Sequence, residues 1–140
     1  MQISCKSDIG RMRSQNQDSV FASDKPVGKL PNLLIVADGM GGHKAGNVAS
    51  KLTVEDLGKL WSESFFDEGT PVATMETWLR NQIRNESENI ADLGKLDEYQ
   101  GMGTTLEALV MQEGQVISAH VGDSRTYLIR DGQLQKITTD

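Results

Sequence analysis

The stretch LIVADGMGGHKAG, Leu34–Gly46, carries four apolar residues into an aspartate and then four glycines within eight positions. LLIVAD (Leu33–Asp38) is a continuous branched apolar run, which predicts a central strand buried on both faces. From Ala45 to about Ser64, Val48, Leu52, Leu57, Leu60 and Trp61 recur at helical spacing. A buried strand therefore ends at Asp38, and a helix starts after a loop almost bare of side chains. Such a loop can cradle a phosphate, bring a carboxylate and backbone to a metal, or simply turn.

Both phosphate-loop readings fail on their essential residues. Gly41 and Gly46 have the Walker separation, but Asn47 and Val48 stand where lysine and a hydroxyl are required. Gly39 and Gly41 begin a dinucleotide fingerprint, but Lys44 occupies the third glycine position. The metal reading fares better. A strand-end aspartate offers hard oxygen donors, and a following glycine lets its carbonyl approach an ion. Asp18 and Asp123 occupy comparable places, each beside a strand and a polar or glycine loop. Taken singly, an Asp beside Gly is more often a turn former.

Outward from this stretch, QISCKS (2–7) alternates weakly and reads as a first strand, and SVFAS as a second. A second helix is expected over about Pro71–Ile90, and 91–101 reads as a helix end with a polar loop. MGTTLEALVMQ and QVISAHVGD flank Glu113-Gly114, and RTYLIR and QLQKIT flank Asp131-Gly132, two hairpin signals. The layout is α+β: strands, two helices, then a four-stranded antiparallel meander. The 140 residues fit a single domain, 1–140.

A net charge of -6 argues against broad nucleic-acid binding, which needs a basic face. One cysteine, Cys5, excludes a disulfide framework within the chain. No run has the length of a signal peptide or a membrane span, so the expected compartment is the cytoplasm.

Four blocks, GRMRSQNQDSV, LIVADGMGGHKAGNVAS, GMGTTLEALV and ISAHVGDSRTYLIRDGQLQKITTD, together resemble the metal-dependent protein phosphatase family, PP2C/PPM type, in its bacterial form. The resemblance implies a sandwich of two antiparallel sheets flanked by helices, with a Mn²⁺ or Mg²⁺ pair between the sheets. It implies serine/threonine phosphatase activity on phosphoproteins within a partner kinase pathway. By resemblance, Asp38 bridges both metals, Gly39 offers its carbonyl, and Asp18 joins the centre directly or through water. Arg13 holds the substrate phosphate, and Asp123 serves an additional, weaker metal position. His43 is a candidate acid for the leaving alkoxide, although animal-type members place histidine directly after Asp-Gly, where this chain has Met40. His120 reads as structural, and GMGTTLEALV as a packing strand whose Thr104 and Thr105 bond nearby loops.

The family's later Asp-Gly and Gly-x-Asp-Asn blocks are not found in this sequence. The expectation is therefore an N-terminal portion of the catalytic domain, with the C-terminal part missing, an incomplete metal centre, and open sheet edges suited to self-association. Two other readings stay open: a non-catalytic short form that binds phosphoprotein or a partner, and a small α+β interaction domain with turn aspartates.

Overall fold

A computed structural model of the chain describes residues 1–42, 44–67, 69–112 and 114–139. The elements run β1 (Asp18–Ser23), β2 (Leu33–Met40), α1 (Ala45–Ser62), α2 (Val72–Leu93), β3 (Gly103–Thr104), β4 (Leu106–Gln112), β5 (Gln115–Val121), β6 (Tyr127–Arg130) and β7 (Gln133–Lys136). A 3-10 turn, Asp97–Tyr99, follows α2. The α+β layout of two antiparallel sheets and two helices is the one expected from the sequence.

Three particulars differ. Residues 1–9 form no strand: they are largely exposed, and none pairs with another strand among the described residues. The weak alternation of QISCKS gains nothing without a ladder partner. The expected four-stranded meander is also divided. β4 and β5 join β1 and β2 in one sheet, in the order β1-β2-β4-β5 with β3 on β2, while β6 and β7 pair with each other. Finally, β2 is covered on one face only. Leu33, Ile35 and Ala37 are buried, whereas Val36 is 43% exposed and Asp38 and Met40 also face outward.

The covered face carries the core. Leu33, Ile35, Leu106, Ala108, Val110 and Ile117 pack against Leu57, Trp61, Met75 and Leu79 from the helices. Phe66 is fully buried and meets Trp78 edge-on, with ring centroids 4.8 Å apart. Asn32 extends the ladder by side chain: its Nδ2 donates to Met111 O at 2.7 Å, and its Oδ1 accepts from Met111 N–H at 2.8 Å. The Asp131-Gly132 turn has φ of 53° and 73°, the type I′ conformation expected for that pair. Gln112 stands opposite Gln115 in the other hairpin, whose Glu113 lies outside the described residues.

Helix α1 begins in backbone contact with the end of β2. A Cβ on Gly39 would lie 1.9 Å from Gly46 O, and a Cβ on Gly46 would lie 2.6 Å from the Gln17 carboxamide carbon. The Gln17 carbonyl accepts from Gly39 N–H at 3.0 Å and from the Ser50 hydroxyl at 2.7 Å. Gly39→Ala is therefore expected to cost more than about 3 kcal/mol, measured by urea unfolding. A loss below about 1 kcal/mol would contradict the contact.

Glu86 of α2 is buried against α1, and its carboxyl is pushed up to about 7 from an ordinary 4.5, by desolvation first and then by Asp56. The folded state thus binds the proton more tightly than the unfolded chain. The stability this supplies is complete below pH 4.5 and is lost as pH rises through about 7. Glu86→Gln should leave stability near wild type at pH 4.5 and raise it by about 1–2 kcal/mol at pH 8, after allowance for solvent screening. Denaturation at the two pH values checks this, and an equal effect at both would contradict it.

Candidate functional site

The register of β1 on β2 sets Asp18 directly opposite Asp38. The Ala37 and Gly39 positions turn toward the helices, so Asp38 projects from the open face. Both carboxylates line a cleft of about 160 Å³, together with Asp8, Ile9, Arg13 and Gly39. Like charges directly opposite on adjacent strands repel. The Asp18 carboxyl accordingly titrates above its ordinary value: desolvation is the largest cause, followed by the Asp38 charge and a hydrogen bond with the Asp38 carboxyl, while Arg13 acts in the opposite direction.

The backbone of Asp38 is held from the other side. Its N–H donates to Thr105 Oγ1 at 2.9 Å, and its carbonyl accepts from Thr105 N–H at 2.9 Å. Thr105 Oγ1 also lies 2.6 Å from Ser124 Oγ, tying in the loop after β5. The loop before β1 is held by Asn16, whose Oδ1 accepts from Asp18 N–H at 3.1 Å and whose Nδ2 donates to Ser7 Oγ at 2.7 Å.

The sequence candidates are thus partly assembled. Asp18, Asp38, Gly39 and Arg13 meet at one cleft. Asp123 sits on the loop after β5 and does not line it. His43 lies outside the described residues. His120 Nε2 is 2.9 Å from the Thr139 carbonyl, in keeping with a structural part. Among the described residues, no three His, Cys, Asp or Glu side chains converge as a metal-holding group.

Sequence reasoning missed two acids near this face. Asp8 lines the cleft and caps Gly10 N–H at 2.7 Å; its only signal was an Asp two residues before a glycine. Glu107 of β4 is buried, and desolvation pushes its carboxyl up, with Thr126 and His120 acting to lower it. It occupies a strand position where an apolar residue would ordinarily be expected, which was its signal.

The donor set fits a hard divalent ion. Two carboxylates that repel each other would be relieved by a cation, and water can complete the remaining positions. The guanidinium beside them suits an anion, since its planar fork can donate to two oxygens at once.

A family model described as Protein phosphatase 2C matches residues 11–140. A Streptococcus pyogenes protein described as a putative protein phosphatase 2C-type is 46% identical over all of this chain and 55% of its own length. Protein phosphatase PhpP of Streptococcus pneumoniae is 41% identical with the same coverage. The S. agalactiae serine/threonine phosphatase structure superposes with a TM-score of 0.88 at 43% identity, over 96% of this chain and 54% of that one. The catalytic domain of the serine/threonine protein phosphatase PstP, solved with two manganese ions, gives 0.74 at 38% identity, over 96% and 54%. This chain spans about half the length of these relatives. By the family match and these likenesses, it belongs to the protein phosphatase 2C family.

Proposed function

We propose that the chain carries the N-terminal part of a metal-dependent protein serine/threonine phosphatase centre. The observation that carries this reading is the opposition of Asp18 and Asp38 in one cleft with Arg13. Bound Mn²⁺ or Mg²⁺ supplies charge neutralisation and a water of lowered pKa. Asp38 and Asp18 hold the ions, and the Gly39 carbonyl offers a further oxygen. Arg13 binds and orients the phosphate of a phosphoserine or phosphothreonine. Asp123 contributes to an additional, weaker ion position beyond that pair, and His43 donates a proton to the leaving alkoxide. Thr105 keeps Asp38 in place without touching substrate. The phosphoprotein substrates belong to a serine/threonine kinase pathway.

A second reading is favoured by the absence of a third converging ligand among the described residues. In it the chain binds phosphoprotein through Arg13 without turnover. The open sheet face, with Val36 43% and Val116 51% exposed, then serves for self-association or a partner.

Hydrolysis of a small aryl phosphate separates the two. The first reading expects activity that requires Mn²⁺ and falls at least about 100-fold in Asp38→Asn, an isosteric change. Thr105→Val should lower activity about 10-fold while costing about 1–2 kcal/mol of stability, through the lost bonds to Asp38 and Ser124. A folded chain with no Mn²⁺-dependent turnover, but with Arg13-dependent phosphopeptide binding, would support the second reading instead.

A further inference from the structure

A cavity of about 230 Å³ lies between the helices and the sheet, on the face away from the carboxylate pair. Ile83, Ile90 and Met102 supply apolar wall, and Thr104 of β3 lies at its lining. Thr53 of α1 and Glu86 of α2 also line it. They are 3% and 6% exposed, yet Thr53 Oγ1 and Glu86 Oε1 have no hydrogen-bond partner among the described residues. Buried polar atoms are rarely left unpaired in native interiors. Asp56 of α1 and Asn89 of α2 hydrogen-bond the Glu86 carboxyl, which leaves Oε1 for another donor.

We propose that this cavity binds a small organic ammonium ion with an apolar body, which donates to Glu86 Oε1 and has Thr53 Oγ1 as a second acceptor. The size is suitable: an apolar cavity of about 150 Å³ holds benzene, and the extra volume here accommodates an aminomethyl group. Above about pH 7, where Glu86 is ionised, a carboxylate set against an apolar wall selects a cation with a hydrophobic end over either feature alone.

The pocket also reaches the carboxylate site through the backbone. Gly103 and Thr104 line it, and they pair with Met40 and Gly39, the residues directly after Asp38. An occupant therefore touches the strand bonded to the end of β2. Binding in this cavity does not depend on phosphatase activity.

The test is a ¹H–¹⁵N titration of the chain at pH 8, where Glu86 is ionised, with benzylammonium chloride, with benzyl alcohol as the uncharged comparison. Saturable shifts are expected at Ile83, Ile90, Met102 and Thr104, with smaller ones at Gly39 and Met40. Glu86→Gln should weaken benzylammonium at least about 10-fold and change benzyl alcohol less than about 3-fold. Thr53→Val provides a second variant and should weaken benzylammonium about 3-fold. The wild-type spectrum reports whether the chain is folded. No saturable shift at these residues in the folded chain would mean that water alone fills the cavity, and would overturn the proposal. So would equal benzylammonium affinity in wild type and both variants, or shifts centred on another surface.

Discussion

The Gln17 carbonyl receives two donors, Gly39 N–H and the Ser50 hydroxyl. That one oxygen joins the loop before β1, the end of β2 and the second turn of α1. The joint forms because Gly39 and Gly46 allow strand end and helix start to meet without a side chain between them. Ser19 Oγ, 2.9 Å from Ser50 Oγ, adds a further link from β1 to the helix. With β1 and β2 joined in this way, Asp18 stands opposite Asp38.

The consequence for chemistry is a pair of like charges held on a buried frame. Two carboxylates are held together although they repel, and Arg13 offsets only part of that repulsion. The frame, not the pair, supplies the stability: a buried layer of Leu33, Ile35, Leu57 and Phe66 lies beneath the same strand. Separating the two tasks would suit the proposed centre, which takes a cation and an anion. The scaffold keeps its geometry, while the exposed face keeps unpaired charge for what arrives.

Much of this was readable in the residues. Periodicity placed α1 and α2, the branched run placed β2, and Asp131-Gly132 placed a type I′ hairpin. The cluster of Asp18, Asp38, Gly39 and Arg13 came from strand-end positions and from the four-block likeness. What stayed hidden depended on partners distant in sequence. Nothing local in Asn32 says that it will bond Met111, 79 residues away. An apolar run cannot tell one covered face from two, so the exposure of Val36 was not foreseeable from LLIVAD. The sequence suggests clearance for an ion at Gly39, and the close contact of Gly39 with the backbone of α1 shows only in the fold. Glu86 looks like an ordinary surface acid until the fold buries it.

The most direct measurement is Mn²⁺ binding to the chain, followed by electron paramagnetic resonance of the free ion, in wild type and Asp18→Asn. If the opposed carboxylates form the ion site, wild type binds saturably and the isosteric variant binds at least about 10-fold more weakly with its fold unchanged. Equal Mn²⁺ affinity in the two proteins would show that the Asp18–Asp38 pair does not hold the metal.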